Sequence, residues 1–217
     1  MMIPVWILIP YCIVLTVYLV FEQKKRFVAA TALKLTLSAM FCATAWTALG
    51  QTNAVPALMI SLGLSLALAG DFFLQYIKRD NKKFKTGILL FAGTQVCLLM
   101  AYYLLCPPSW PEFVFLAAFL VLALVLMRVQ HWDVSAQNPH ITLYTLLIAW
   151  MGAKALSFVF AAPQYMLLAW GGVLFFVSDM ILGIWNYKYS KKMLFAHLNW
   201  LTYFAGEILI AFGVWML

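Results

Sequence analysis

Eight long runs of apolar residues occupy most of the chain, and each run ends at charged residues, proline or asparagine. Most of these runs have the length that an α-helix needs to cross a bilayer, which is roughly 20 residues. The sequence therefore predicts an all-α, polytopic membrane protein, a single transmembrane domain over residues 1–217 that forms a bundle of about eight helices. The predicted helices cover residues 3–21, 27–49, 55–77, 84–106, 112–128, 141–160, 164–186 and 193–217.

The composition excludes a soluble protein, because 66% of the residues are hydrophobic and only 10% are charged. The net charge of +7 lies on no folded surface large enough to bind nucleic acid, so we expect no nucleic-acid partner. The first apolar run lacks a basic segment before it and a small-residue cleavage site after it, and it should remain as a transmembrane span. The cysteines lack CxxC spacing and predict neither disulfides nor a zinc site; they are Cys12, Cys42, Cys97 and Cys106.

Basic residues cluster in alternate connections between the predicted helices, where they set the orientation of a membrane protein. Twelve of the fourteen lysines and arginines lie in the first, third, fifth and seventh connections. They are Lys24, Lys25, Arg26, Lys78, Arg79, Lys82, Lys83, Lys85, Arg128, Lys188, Lys191 and Lys192. Because positive connections stay in the cytoplasm, we expect both termini on the non-cytoplasmic side.

Five ionisable residues lie within the predicted spans, where each costs about 2.5–3.5 kcal/mol at a helix centre. They should therefore face the bundle interior and have a partner or a task. Lys34, Asp71 and Asp179 lie at a common depth, about 10 Å from the cytoplasmic end at 1.5 Å per residue. Lys154 and Glu207 form a second layer nearer the opposite face, and we expect them to pair with each other structurally.

One lysine cannot neutralise two aspartates at the same depth, so we expect one of Asp71 and Asp179 to be ionised and the other protonated. Such a pair provides an acid and a negative charge for catalysis. Residues 70–74 and 178–182 both follow the pattern small-Asp-x-x-Leu, and the two aspartates are 108 residues apart. This spacing is half the chain and suggests a possible 4+4 parallel repeat.

Further polar side chains share the helix faces of these aspartates and are candidates for substrate binding or support. Ser178 directly precedes Asp179. In the last span Asn199, Tyr203 and Glu207 are four residues apart, which places them on one face. Gln95 lies on the face of span four that carries small and aromatic residues.

Three other functions fit the same residues. A transporter or lipid flippase also uses paired carboxylates in the membrane, but it predicts broken helices, for which only Gly171 and Gly172 are candidates. A zinc hydrolase would need the scattered residues His131, His140 and His197, which lack metal-binding spacing. A structural protein would tolerate replacement of both aspartates by asparagine.

The chain resembles the YhhN-like lysoplasmalogenase family, which consists of multi-span membrane enzymes. The resemblance covers nearly the whole chain and is carried by Lys34 and by residues 65–74, 87–91, 172–179 and 202–203. Two positions depart from the family pattern. Gln95 replaces a common histidine and Glu207 a common glutamine, so a mechanism that uses that histidine would not transfer.

The resemblance implies hydrolysis of the vinyl ether bond of lysoplasmalogens, which yields a fatty aldehyde and a glycerophospho-alcohol. One of Asp71 and Asp179 would be the acid that protonates the vinyl ether, and the other would stabilise the resulting oxocarbenium ion. Lys34 would keep the aspartate with which it pairs in the ionised form. Lys78 and Lys188 would attract the phosphate. We expect no metal or organic cofactor, a lysophospholipid as the substrate, and a place in the bacterial cytoplasmic (inner) membrane.

Overall fold

Eight α-helices make up nearly all of the computed structural model, which describes residues 3–52, 54–75, 81–129, 139–187 and 193–217. These residues contain no β-strand. The helices are α1 (Leu8–Gln23), α2 (Phe27–Ala48), α3 (Ala54–Leu74), α4 (Asn81–Leu105), α5 (Trp110–Val129), α6 (Pro139–Ala161), α7 (Met166–Tyr187) and α8 (Met193–Val214). The predicted all-helical membrane bundle is confirmed, with helix ends within a few residues of expectation.

The start of α4 differs from the prediction, because this helix begins at Asn81 and not at residue 84. Lys82, Lys83 and Lys85 therefore belong to its first turns and not to the preceding connection. A helix can continue past its apolar segment because long basic side chains in its terminal turn still reach the membrane–water interface. Seven of the eight helices are long and apolar enough to span a membrane, and the described apolar stretch of α5 is shorter, at Trp110–Leu126.

Six of the helices form a closed ring in the order α2, α3, α4, α6, α7 and α8, with α8 packed against α2. α1 packs outside the ring on α2, and α5 packs outside it on α6. The arrangement of the first four helices thus recurs in the last four. The most extensive contacts also correspond, since they join α3 to α4 and α7 to α8. This packing agrees with a 4+4 parallel repeat.

Glycines allow close helix crossings in both halves of the bundle. A Cβ atom on Gly206 of α8 would lie 2.9 Å from the carbonyl oxygen of Gly171 in α7. A Cβ atom on Gly63 of α3 would lie 3.4 Å from the carbonyl oxygen of Thr94 in α4. Small residues let two helix backbones approach in this way, which increases the van der Waals contact between the helices in lipid.

A buried ion pair joins α5 to α6 at the end of the bundle remote from the basic connections. The Nζ atom of Lys154 lies 3.1 Å from Oε2 of Glu112 and donates a hydrogen bond of 2.9 Å to the carbonyl oxygen of Pro107. The hydroxyl of Tyr103 donates to Oε1 of Glu112. Every charge in this cluster therefore has a hydrogen-bond partner.

This ion pair shows that the expected pairing of Lys154 with Glu207 is wrong. Lys154 lies on α6, which packs on α4, α5 and α7, whereas Glu207 lies on α8, which packs on α7, α2 and α3. Equal depth in the membrane did not make the two residues neighbours. Glu112 is the first residue of the predicted fifth span, so its position predicted a helix boundary and not a buried charge.

Candidate active site

A cavity of about 380 Å³ lies inside the helix ring, at the end of the bundle where α1, α3 and α7 end. We name this the basic end, because the exposed side chains of Lys24, Lys25 and Arg26 lie there. All helices except α5 contribute to the cavity wall. Most of the wall is apolar, and Glu22 and Gln75 are polar residues close to the helix ends.

Asp71 of α3 lies at the inner part of this cavity, and three side chains hold its carboxylate. The Nζ atom of Lys34 is 2.9 Å from Oδ1. The hydroxyls of Ser38 and Tyr203 donate hydrogen bonds to Oδ2, at 2.5 and 2.8 Å. Asp71 is only 1% exposed, so its charge is compensated by partners from α2 and α8 and not by water. The expected contact between Lys34 and one aspartate is confirmed.

Asp179 of α7 lines the same cavity but has a different environment. Its Oδ2 atom accepts a hydrogen bond from the hydroxyl of Tyr144 on α6. Asp179 is partly exposed to the cavity, and no cation among the described residues forms an ion pair with it. The two aspartates thus face one cavity, one with a bound ammonium group and one without.

The expected supporting residues separate into two groups. Tyr203 bonds to Asp71, and Ser178 and Asn199 also line the cavity. The Nδ2 group of Asn199 donates a hydrogen bond of 2.7 Å to the carbonyl oxygen of Ser178, which fixes α8 against α7 beside Asp179. Gln95 and Glu207 are fully buried outside the cavity wall, and the carboxyl oxygens of Glu207 have no hydrogen-bond partner among the described residues.

Three side chains of the site were not found by sequence analysis. Ser38 lies one helical turn after Lys34, and this spacing was a usable signal. Tyr144 looks like one of the many tyrosines near span ends that anchor helices at the interface. Glu22 is next to the basic cluster of the first connection, so it looks like part of a solvated loop, although it lines the cavity.

Other expectations concern the basic connections, a metal site and a break in α7. His131, Lys78 and Lys188 lie outside the described residues, so phosphate binding by the two lysines stays a prediction. Among the described residues, no group of three His, Cys, Asp or Glu side chains could hold a metal ion. α7 is continuous through residues 171–172, so the helix break that a transporter would need does not occur there.

A comparison with protein-family models assigns this chain to a family. The model of the YhhN family matches residues 29–214, from the first turn of α2 to the end of α8. The chain belongs to the YhhN family. Comparisons with curated proteins and with solved structures found no match.

The YhhN family is associated with hydrolase activity. The matched region of this YhhN protein contains Lys34, Ser38, Asp71, Asp179 and Tyr203, so the whole carboxylate cluster belongs to the family region. α1 precedes the matched region, and with it the cavity residues Tyr18 and Glu22.

Proposed function

We propose that this YhhN protein hydrolyses the vinyl ether bond of lysoplasmalogens to a fatty aldehyde and a glycerophospho-alcohol. The observation that carries the proposal is the unequal environment of the two aspartates in one apolar cavity. Asp71 is paired with Lys34, whereas Asp179 accepts one hydroxyl and faces the open space. The family's association with hydrolase activity supports the same conclusion.

The unequal partners support different roles for the two carboxyl groups. Asp71 has a cation and two hydroxyl donors, and all of these favour its ionised form. Asp179 has no cation in contact, and an unpaired charge in an apolar cavity is costly, which favours its protonated form. Asp179 is thus the proposed acid and Asp71 the proposed stabilising anion.

Hydrolysis of a vinyl ether begins with a slow protonation of carbon. Asp179 transfers its proton to the β-carbon of the double bond, and the electron pair of that bond forms the new C–H bond. The resulting oxocarbenium ion is stabilised by the charge of Asp71, as carboxylates stabilise the cation in glycosidases. Water then adds to the α-carbon and gives up a proton to Asp179.

The second half of the reaction separates the two products. The hydroxyl of the hemiacetal loses its proton as the carbon–oxygen bond to glycerol breaks, and the departing oxygen gains a proton. The products are the aldehyde and the glycerophospho-alcohol, and Asp179 ends the cycle protonated. The chain's own carboxyl groups and one water molecule balance every step, so the proposed route needs no redox partner.

The test is aldehyde release from a lysoplasmalogen by the purified protein in detergent. Asp71→Asn and Asp179→Asn should each lower kcat/KM by at least ~100-fold, the usual contribution of a positioned acid or base. Glu207→Gln is the matched control, because this buried carboxyl group lies outside the cavity wall. Each variant is assayed at a temperature at which its own unfolding curve shows it to be folded, because Asp71→Asn also removes the counter-ion of Lys34.

The same assay separates the proposed enzyme from the alternatives. A folded wild-type protein that releases no aldehyde would contradict the hydrolase and favour a transporter of lysolipids. Full activity in either asparagine variant would instead contradict the assigned roles. A loss in Glu207→Gln as large as that in Asp179→Asn would move the acid away from the cavity.

A further inference from the structure

The cavity is too shallow to hold a whole lysolipid. Its wall covers residues 84–91 of α4 and 141–148 of α6, which is about 10 Å of helix at 1.5 Å per residue. A lysolipid tail crosses one leaflet, which is half of the ~30 Å hydrocarbon core of the bilayer. Because Asp71 and Asp179 lie at the inner part of the cavity, little room remains beyond them for a tail.

Aromatic rings close the inner end of the cavity. Phe91 and Tyr203 line it at this depth with their ring centroids 6.1 Å apart. Phe175 packs edge-on against both rings, at 6.0 and 5.6 Å. A Cβ atom on Gly70 would lie 2.7 Å from the ring of Phe91, so α3 also packs closely on this layer. A hydrocarbon chain at the aspartates therefore finds no open path toward the centre of the bundle.

Specific contacts close most seams between neighbouring helices of the ring at the depth of the cavity. The ion pair of Asp71 joins α3 to α2, the hydrogen bond of Asp179 joins α7 to α6, and that of Asn199 joins α8 to α7. Between α3 and α4, a Cβ atom on Gly87 would lie 3.0 Å from the side chain of Leu74. A chain cannot leave the cavity through these seams without displacing such contacts.

α1 covers the seam between α2 and α8. The hydroxyl of Tyr11 donates a hydrogen bond of 2.9 Å to the carbonyl oxygen of Phe204, and the ring of Tyr18 packs edge-on against Trp200 at 5.4 Å. The two tyrosines are about two helical turns apart, and Tyr18 reaches the cavity wall. α1 therefore follows this seam as far as the cavity.

The seam between α4 and α6 is joined by specific contacts toward the end of the bundle that is remote from the basic end. The Nε1 group of Trp150 donates a hydrogen bond of 2.7 Å to the hydroxyl of Tyr103, and the rings of Tyr102 and Phe158 pack at 5.1 Å. Among the described residues, no hydrogen bond, ion pair or ring contact joins residues 84–91 of α4 to residues 141–148 of α6. At the depth of the cavity this seam is therefore held by apolar packing.

α5 is the counterpart of α1 in the second half of the chain, but it leaves this seam before it reaches the cavity. At the remote end Glu112 of α5 accepts a hydrogen bond from Tyr103 of α4. Further along, Phe119 stacks on Phe176 of α7 with the ring centroids 4.2 Å apart. Since Phe176 lies about one turn before Asp179, α5 has moved toward α7 when it reaches the depth of the aspartates.

The side chains at this part of the seam suit a hydrocarbon chain. They are Phe84, Ile88, Ile141, Thr145 and Ile148. The hydroxyl of Thr145 donates a hydrogen bond of 2.9 Å to the carbonyl oxygen of Ile141, so it needs no further partner in the seam. Tyr144 uses its hydroxyl in the same way on Asp179. Separation of these side chains by a lipid tail would expose no unpaired polar group.

We infer that the alkenyl chain of the substrate leaves the cavity between Ile88 of α4 and Thr145 of α6 and remains in the bilayer. This inference rests on the proposed function for the identity of the lipid. The cavity then encloses only the vinyl ether, the glycerol and the phosphate, with the head group toward the basic end. The protein should accept chains of different lengths, because the part of the chain that varies in length stays in the lipid.

The test maps the path of a bound chain and does not depend on hydrolysis. The probe is a hexadecyl ether of lysophosphatidylcholine with a photoreactive diazirine at the terminal carbon, and it has no double bond for an acid to protonate. The full-length protein is irradiated with this probe in phosphatidylcholine nanodiscs, and the cross-linked residues are identified by mass spectrometry. Only cross-links that an excess of the unlabelled hexadecyl ether removes are counted as bound probe.

We expect such cross-links on exposed residues of α4 and α6 between the seam and the middle of the membrane, such as Val96 and Leu146. Thr145→Trp places a bulky ring in the seam and should weaken competition by the hexadecyl ether about tenfold. Competition by a butyl ether, whose chain ends inside the cavity, should change less than about twofold. Val28→Trp is the matched control, because it adds the same ring at a position of α2 that is 81% exposed, and it should change neither value.

Competed cross-links confined to α1, α7 and α8 would place the chain inside the cavity and overturn the inference. Unchanged competition by the hexadecyl ether in Thr145→Trp, equal weakening of both ethers, or the absence of any competed cross-link would overturn it as well. If Thr145→Trp does not fold, the cross-links of the wild-type protein decide.

Aldehyde release is measured separately, which keeps the two proposals distinguishable. An active enzyme whose competed cross-links lie elsewhere refutes only the path of the chain. An inactive protein with the expected cross-links refutes only the hydrolase.

Discussion

Tyr144 is the one described side chain that donates a hydrogen bond to Asp179, and it occupies Oδ2 of that carboxyl group. The other oxygen is then left to carry the acidic proton toward the cavity. Tyr144→Phe should therefore lower kcat by about 10- to 100-fold, because a misplaced acid transfers its proton poorly. KM should change little, since the hydroxyl is already engaged with Asp179.

Tyr102→Phe is a matched control for this prediction. Its hydroxyl is also buried and donates to a backbone oxygen, that of Leu168, on a side of the bundle away from the cavity. The variant should lose about 1 kcal/mol of stability and retain its kcat. Equal losses of kcat in both tyrosine variants would mean that Tyr144 acts through general packing and not through Asp179.

Glu112 and Lys154 form a buried ion pair in which both side chains are fully inaccessible to solvent. Glu112→Gln leaves the ammonium group of Lys154 buried without its counter-ion, which should cost about 3–5 kcal/mol of the free energy of unfolding. The double variant Glu112→Leu with Lys154→Met should recover most of that loss, because it removes both charges. Thermal unfolding in detergent measures all three proteins.

Glu207→Gln is the control for the Glu112→Gln prediction. Glu207 is equally buried, but it has no hydrogen-bond partner among the described residues, so replacement by a neutral amide removes no ion pair. We expect its unfolding temperature to stay within a few degrees of wild type. A large loss in Glu207→Gln and a small one in Glu112→Gln would contradict this account of the two carboxyl groups.

At the scale of whole helices, α7 and α8 cross with their backbones in close approach at Gly171 and Gly206. A Cβ atom on Gly206 would meet the carbonyl oxygen of Gly171 at 2.9 Å and the backbone nitrogen of Phe175 at 3.0 Å. Backbone atoms cannot rotate away, so Gly206→Ala should force the helices apart. The expected cost is about 1–3 kcal/mol, even though alanine is the better helix former.

Gly50→Ala is the control for this crossing, because a Cβ atom there would meet no atom within 4 Å. It should leave stability unchanged. The movement of α7 also displaces Asp179 from Asp71, so Gly206→Ala should lose activity in proportion to its loss of stability. Unaltered unfolding of Gly206→Ala would show that α8 can shift without cost.

The helices themselves could be predicted closely from the sequence, because apolar length and the charges between runs define a span almost without tertiary information. The face of each helix was also readable from the spacing, as for Asn199 and Tyr203. The spacing did not reveal which residue of another helix each side chain contacts. Lys154 and Glu207 share a depth, but Lys154 pairs with Glu112 because α6 packs against α5. The packing order of the helices cannot be read from a local sequence pattern.

Hydroxyl groups were missed for a related reason. Serine and tyrosine cost little in a membrane helix, so Ser38 and Tyr144 stand out neither by charge nor by rarity. Ionisable residues are expensive in the membrane, and for this reason Lys34 and the two aspartates were found. The sequence thus identifies the charged members of the site, and the structure adds the neutral ones.

For the whole molecule, the basic end and the cavity mouth coincide. The orientation of the protein in the membrane therefore determines the side from which the proposed substrate enters. The positive-inside rule predicts that the connection at Lys24–Arg26 lies in the cytoplasm, and the cavity would then accept lysolipid from the cytoplasmic leaflet. In a cysteine-free variant, a cysteine introduced at Lys25 should react with a membrane-impermeant maleimide only after the cells are opened. One introduced at Thr52, in the next connection, should react in intact cells. Reversed labelling would turn the cavity toward the outside and require substrate from the outer leaflet.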